Sequence, residues 1–445
     1  MPGKNLKKGQ FRLLSTKKMK TPEIKIGLVG CGTVGAAFLK EIIKKKNEIR
    51  KKTGINLTVS KIYDKDKSKK KLLPDKFVSS VDDIIADPKI DVFVELIGGV
   101  NPAYEFIKKA IENGKSVVTA NKAVISEKGK ELIKKAEEKG VYLLFEASVG
   151  GAIPVIKVLK ESFTGNKITT IMGILNGTTN YILTKMYYEG INYKNALKKA
   201  QINGYAEADP TLDIMGIDTA HKLAILSTFA FNTWINWKKI KTEGIDKIDI
   251  EDIRFADEFG YRVKLFGVSK IHRRKLELRV HPVLIPKDHP LSLVEGVYNG
   301  IYFEGDMIGR SILYGEGAGS YAAASSVIAD VVDVSRRIVS GGKTGDIFYT
   351  GKEIEILPFK EIETKYYFRF TAIDKPGVLA KISKILGENN ISIFSVIQKG
   401  ENPQKAVPIV MLTHKAIEKN VEKAINKINK LDIIKKSTVV IRVEE

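Results

Sequence analysis

The 445-residue sequence predicts an α/β fold in three parts, and three observations carry that prediction. Between Ile24 and about Ile153, short apolar runs alternate with helical patterns, the order of a parallel, doubly wound sheet. The first of those runs ends in a glycine-rich turn, Gly30-Cys31-Gly32-Thr33-Val34-Gly35, which leads straight into a helical pattern. From about Glu361 onward the runs read strand, helix, strand, strand, helix, strand, the split order of a ferredoxin-like module.

In chain order, residues 1–22 hold seven Lys or Arg without a sustained period and read as a disordered basic tail. "IKIGLVG" is a strand bounded by glycine, and "AAFLKEIIKKKNEI" carries apolar residues at helical spacing. "LTVSKIYD", "DVFVELIGG", "SVVTA" and "VYLLFEA" follow as strands, completing a Rossmann-type domain over 23–153. The texture then changes. Helical "NYKNALKKAQING" and "DIMGIDTAHKLAILSTFAF" mix with strand-like "KLELRVHPVLI", which predicts an α+β domain for substrate binding and dimerisation over 154–300. Residues 301–345, with "YGEGAGS" and an Ala-rich helix, read as a return to the first domain, 346–360 as a linker and 361–445 as the last module.

The formal charge of +22 raises nucleic-acid binding, yet only 12 of the 74 basic residues are arginine. The lysines recur with Glu in stretches such as "KGKELIKKAEEKG", which reads as the solvated face of amphipathic helices; no nucleic-acid partner is expected. No apolar run approaches the ~20 residues of a membrane span and no signal-peptide pattern opens the chain, so a cytoplasmic protein without a membrane partner is expected. One cysteine excludes an internal disulfide, and five histidines without HExxH spacing offer no common zinc framework.

The glycine turn fits GxGxxG between strand and helix, where backbone N–H groups approach a pyrophosphate. Asp64, ending the next strand, suits a ribose 2′-hydroxyl, whereas Lys65 and Lys67 suit a 2′-phosphate, so NAD and NADP both remain open. Cys31 occupies a motif position where a small side chain suffices and reads as a filler; the secondary reading is that the helix N-terminus lowers its pKa and lets thiol modification block the cofactor. In "NGYAEADPTLDIMGIDTAHK", residues 203–222, a helix would set Asp218 and Lys222 on one face at i, i+4. Such a pair alone reads as a surface salt bridge, but the apolar helix is expected to desolvate Lys222 into an acid usable near neutral pH. "LNGTTNYIL" is a polar glycine turn suited to an amino acid's polar end; its Tyr181/Lys185 spacing also occurs at Tyr63/Lys67 and Tyr104/Lys108 and reads as chance. "FEASVGGAIP" offers the Glu146 carboxylate and turn carbonyls to a cation, although a plain strand-to-helix connection explains it as well.

In this order the glycine turn, "ANK" at 120–122, "EASVGGAIP", "NGTTNYIL", "GYAEADPTLDIMGIDTAHKL" and "GEGAG" resemble homoserine dehydrogenase, over nearly the whole chain from Ile24. The resemblance implies NAD(P)-dependent interconversion of L-aspartate 4-semialdehyde and L-homoserine, in threonine and methionine biosynthesis. It implies that Lys222 is the proton donor, that Asp218 orients it, and that Lys122 lies beside nicotinamide and substrate. Glu207 would grip the substrate's amino end, with Asp213, Thr178 and Tyr205 around it. Gly98, Gly204 and Gly317 would join Gly30, Gly32, Thr33, Val34, Gly35 and Asp64 on the cofactor. Glu146 and the carbonyls of Val149, Gly151 and Ile153 would hold a structural sodium or potassium ion. "AIDKPGVLAKISKIL" followed by "ISIFSVIQ" resembles an ACT domain. That resemblance implies a homodimer or homotetramer and feedback by an amino acid, threonine foremost, at Asp374, Gly377, Val378 and Leu379. A catalytically silent amino-acid sensor on the same fold is the alternative. Ser320-Tyr321 departs from the more compact sequence expected after "GEGAG", which affects the shape of the cofactor lid.

Overall fold

The computed structural model describes residues 21–342, 353–399 and 406–445; most of the basic tail and the first part of the expected linker lie outside these. The first sheet contains β1 (Glu23–Val29), β2 (Asn56–Tyr63), β3 (Val92–Glu95), β4 (Ser116–Thr119) and β5 (Leu143–Leu144). All are parallel, in the order β2-β1-β3-β4-β5. Ile24, Ile26, Leu28 and Val29 are buried because helices cover both faces, and from Ile26 onward β1 reads as a continuous apolar run. The order reverses direction between β1 and β3, and the crevice at their carboxyl ends is where such sheets take ligands.

The second sheet has eleven strands: β6 (Ile168–Ile174), β7 (Lys241–Thr242), β8 (Tyr261–His272), β9 (Lys275–Pro286), β10 (Tyr298–Gly305), β11 (Gly309–Glu316), β12 (Glu363–Ile373), β13 (Ile393–Gln398), β14 (Ala406–Thr413), β15 (Ala416–Ile417) and β16 (Ile434–Val443). The main path runs β11-β10-β6-β8-β9-β16-β12-β14-β13, with β7 beside β9 and β15 beside β12. Residues 298–316 therefore form a hairpin of this sheet, so the return to the first domain does not begin at 301. It is made by the helix Ser320–Val339, whose Ala324, Val327, Val331 and Val334 enter the core around β1.

The C-terminal unit has the expected order, with helices Val378–Glu388 and Glu418–Ile428 between its strands. It is not, however, a detached module. β16 pairs in parallel with β9, Arg442 opposite Val283 and Val443 opposite Leu284, which makes one sheet of both units. Tyr366, Phe368 and Phe370 face the module's own helices, while Tyr367, Ile441 and Val443 join the core of the substrate unit. Part of the expected linker is also sheet-bound: Leu276 N–H donates to Glu355 O at 2.8 Å, and Leu357 N–H to Leu276 O at 2.9 Å. Among the described residues, no helix is long and apolar enough to cross a membrane.

Candidate active site

The turn after β1 is shaped by its own backbone. Gly30 has φ +96°, and a Cβ there would lie 2.7 Å from the Leu96 carbonyl; at Gly35 it would lie 2.0 Å from Gly30 O. Gly32 faces open space, and the helix Thr33–Lys44 starts there without a side-chain cap on its amides. This open helix start with uncapped first-turn N–H groups fits a pyrophosphate. Gly98, φ +73°, also faces open space at the end of the neighbouring strand. Asp64 has a role the sequence did not reveal: Oδ2 accepts the Cys31 N–H at 2.5 Å and Oδ1 the Asp66 N–H at 2.8 Å, tying the turn to the end of β2. Lys65 and Lys67 are exposed. Cys31 is buried, and that burial together with the Asp64 charge pushes its thiol up to about 12. The secondary reading of a reactive thiol is thereby corrected: desolvation outweighs the helix N-terminus, and the group stays a neutral filler.

The helix Ile217–Ala230 starts at Gly216, φ +78°, where a Cβ would come within 2.9 Å of Val280 Cγ1. Asp218 lies in its first turn and Lys222 one turn on, with Nζ 2.8 Å from Oδ2. Lys222 also donates to Leu175 O at 2.7 Å. From the other domain, Lys122 at the start of the helix Lys122–Lys139 brings its Nζ within 3.1 Å of Asp218 Oδ1. Burial opposes ionisation of Asp218, but the Lys222 and then the Lys122 ammonium groups outweigh it and hold the carboxyl well below the usual range. Asp218 in turn raises Lys122 against the effect of burial.

Asn176 bridges the two neighbouring carboxylates, its Nδ2 donating to Asp213 Oδ1 at 2.7 Å and Asp218 Oδ2 at 3.0 Å. Burial, then the Asp218 charge, raises Asp213. The Thr178 hydroxyl has two acceptors within reach, Tyr205 O at 2.6 Å and Asp213 Oδ2 at 3.1 Å. Tyr205 thus offers its carbonyl to this cluster while its ring packs 4.9 Å from Tyr181. Gly204, φ +72°, turns the chain there, and the exposed Glu207 is close enough for its charge to raise Lys122. Lys222 is thus buried on an apolar helix, as expected, while its immediate partners, Asp218 and the Leu175 carbonyl, are polar. Further contacts escaped the sequence. The expected polar glycine turn is instead the start of the helix Gly177–Glu189, capped by Asn176, and it supplies Leu175 O and Asn176; Ser126 Oγ lies 2.5 Å from His221 Nδ1, with His221 stacked at 4.1 Å on Trp237.

Glu146 is engaged differently from expectation. Its carboxylate accepts the Ile156 and Lys157 N–H groups, each at 2.8 Å, and burial pushes it up to about 7 against those bonds. Asp330 accepts the Glu146 N–H at 2.8 Å, and burial, then the Glu146 charge, raises it to about 8. Val149, Gly151 and Ile153 form the turn beyond, where Gly150 and Gly151 have φ of +77° and +56° and Gly151 O accepts from Ser326 Oγ at 2.6 Å. Gly317 lies against this turn, and a Cβ on it would sit 1.9 Å from Asn299 Cγ. Among the described residues, no group of three or more His, Cys, Asp or Glu could hold a metal ion.

The two raised carboxyls carry a prediction. A carboxyl with a raised folded pKa binds its proton more tightly in the native state, so stability falls as pH rises from about 4 to about 8. Asp330→Asn keeps the acceptor oxygen for Glu146 N–H and removes one of the two groups. Thermal midpoints measured between about pH 5 and about pH 8 are expected to fall less in this variant than in the wild type. An unchanged slope contradicts this assignment.

In the C-terminal unit, Gly377, φ +85°, caps the helix Val378–Glu388, and Asp374 Oδ1 accepts from Gln398 Nε2 at 3.3 Å. Val378 belongs to the unit's core, whereas Leu379 is exposed.

Residues 30–146 match the family model described as homoserine dehydrogenase, NAD binding domain; residues 154–332 match homoserine dehydrogenase and 366–432 the ACT domain. Homoserine dehydrogenase of Neisseria gonorrhoeae is 41% identical over 428 residues, covering 95% of this chain and 98% of that protein. The Pseudomonas aeruginosa homoserine dehydrogenase is 42% identical over 429 residues, covering 95% and 99%. A solved homoserine dehydrogenase from Thiobacillus denitrificans superposes with a TM-score of 0.90 at 42% identity, over 95% of this chain and 98% of that one. A hyperthermophilic archaeal homoserine dehydrogenase mutant, solved in complex with NADPH, aligns with a TM-score of 0.61 at 29% identity, over 70% and 98%. A chain about two-fifths identical to such proteins over nearly its whole length belongs to the homoserine dehydrogenase family, as an oxidoreductase with a nicotinamide-dinucleotide domain and a C-terminal ACT domain.

Proposed function

We propose that the chain interconverts L-aspartate 4-semialdehyde and L-homoserine with Lys222 as the proton-carrying group. One observation carries this: a buried ammonium aimed by Asp218 at 2.8 Å and Leu175 O at 2.7 Å, two of its three N–H donors. The third N–H is left for a substrate oxygen. Lys222 donates to the aldehyde oxygen as negative charge develops there and takes the proton back from the hydroxyl in reverse. Asp218 fixes the direction of that ammonium, and Lys122, on the other Asp218 oxygen, adds a second positive charge facing the alkoxide. The Asp213 and Glu207 carboxylates, the Thr178 hydroxyl and the Tyr205 carbonyl form an acceptor-rich wall suited to the substrate's ammonium group.

When bound, the nicotinamide dinucleotide supplies the hydride-transfer chemistry. Gly32, Thr33 and Val34 would face its pyrophosphate, with Gly98 and Gly204 leaving room for it, while Gly30, Gly35 and Gly317, packed on Leu96, Gly30 O and Asn299, would shape the site from behind. Asp64 is held by two amides, and the exposed Lys65 and Lys67 stand ready for a 2′-phosphate, so NAD and NADP are to be compared by nicotinamide absorbance with homoserine. Turnover with neither cofactor overturns the proposal. A structural sodium or potassium ion at the 149–153 turn would rest on the carbonyls of Val149, Gly151 and Ile153, since both Glu146 carboxylate oxygens face amides.

Feedback by an amino acid, with threonine as the first candidate, fits the loop from Asp374 to Leu379. The same reading includes a homodimer or homotetramer, a cytoplasmic site of action, and a place in threonine and methionine biosynthesis. Threonine is expected to inhibit the intact wild type and to inhibit Asp374→Ala less; a wild type indifferent to threonine and related amino acids overturns the regulatory part. A chain ending near residue 360 is not a clean control, because it would remove β16 from the shared sheet.

A further inference from the structure

We propose that Arg442, from the C-terminal unit, is a positioning residue of the active site, acting through Glu243. Arg442 is 4% exposed and its guanidinium grips two carboxylates. Nε and Nη2 donate to Glu418 at 2.8 and 2.6 Å, within the C-terminal unit; Nη1 and Nη2 donate to Glu243 at 2.8 and 3.2 Å, across the junction. A planar guanidinium held at both ends fixes its partners in direction as well as distance.

Glu243 follows β7 directly, and its N–H donates to Val280 O at 2.8 Å. The next residues carry the catalytic segment. Ile245 N–H donates to Ile214 O at 2.9 Å, and Gly244 lies so close that a Cβ would sit 2.4 Å from that oxygen. Beneath Gly216, a Cβ would meet Thr242 Cγ2 at 3.0 Å and Val280 Cγ1 at 2.9 Å. The stretch 213–218 therefore rests on residues 242–245, and Arg442 holds the Glu243 side chain among them. Asp213 stands at one end of that stretch and Asp218 at the other. A small displacement of 242–245 moves both carboxylates relative to Lys122 and Thr178, which come from other elements. The C-terminal unit thus helps complete the active site even when it carries no effector.

Glu243 is the more exposed partner, its side chain 36% exposed, and removing it leaves the buried Arg442 paired with Glu418 through Nε and Nη2. In the full chain, Glu243→Ala is expected to raise the KM for homoserine about three- to tenfold, with a smaller rise in Glu243→Gln, which keeps one acceptor. The KM for the nicotinamide dinucleotide is expected to stay within about twofold, because the turn after β1 does not rest on 242–245. A variant with lower thermal stability but an unchanged KM for homoserine overturns the proposal, since the pair would then be a structural tie only. Both Michaelis constants rising together also overturns it. If the alanine variant does not fold, the glutamine variant decides by the same two comparisons.

Discussion

Lys222→Met is expected to lower kcat about 10²- to 10⁴-fold in both directions, the range for loss of a positioned proton-transfer group. Methionine keeps a similar length and fills the same space, so the helix Ile217–Ala230 keeps its packing. Asp218 stays paired with Lys122 at 3.1 Å and bonded to Asn176 at 3.0 Å, which spares the variant an uncompensated buried carboxylate. The loss therefore falls on the chemical step. Affinity for the nicotinamide dinucleotide, read by fluorescence titration, is expected to stay near wild type, because the cofactor turn shares no contact with Lys222. Homoserine oxidation followed by nicotinamide absorbance, beside a thermal melt, separates lost chemistry from lost fold. A folded variant with undiminished kcat removes Lys222 from the mechanism, whereas a wild type without turnover reopens the reading of the protein as a silent sensor.

Glu444→Ala is expected to destabilise the protein by about 3–5 kcal/mol, the scale for removing one partner of a buried pair. Glu444 is almost fully buried and accepts from Arg279 and, at 2.5 Å, from Lys270. Arg279 is 2% exposed, and its other neighbours are Glu277 and His281. Burial and the adjoining Arg279 charge hold His281 neutral, so it does not compete for Glu444. Without Glu444, Arg279 keeps only the Glu277 carboxylate and Lys270 loses its ion pair. Urea denaturation of the full chain measures the loss, and a shift below about 1 kcal/mol shows that water reaches the site and compensates. Burial opposes ionisation of Glu444, but Arg279 and then Lys270 outweigh it and hold the carboxyl well below the usual range. Its contribution is thus present above the unfolded carboxyl pKa and is lost as pH falls further, so Glu444→Gln is expected to flatten the acid limb of the stability profile.

The first domain was legible because its signals are local. Strands covered on both faces are apolar, as in Ile26 to Val29, and Gly35 is demanded by a backbone contact with nearby Gly30, although the Leu96 backbone that crowds Gly30 itself is distant in the chain. The Asp218 and Lys222 pairing was equally readable, since a helix fixes the distance between i and i+4 whatever surrounds it. The hairpin of β10 and β11 was misplaced because neither the buried strand β10 nor the alternating edge strand β11 carries a mark of which sheet it joins. The union of β9 with β16 was hidden for a similar reason: parallel pairing between distant segments leaves no period in either of them.

The sequence alone determined the order of strands and helices in the first domain and the last module, and that Asp218 and Lys222 share one helical face. These follow from short-range sterics and the fixed periods of the backbone. Only the tertiary structure decided the partner of each buried polar group. It gave Lys222 the Leu175 carbonyl, set Asn176 between two carboxylates, joined Ser126 to His221, turned Glu146 toward amides and closed Arg442 onto Glu243. A buried charge or amide must find a partner, but which one it finds depends on distances between segments far apart in the chain, and those are set by packing rather than by any local pattern.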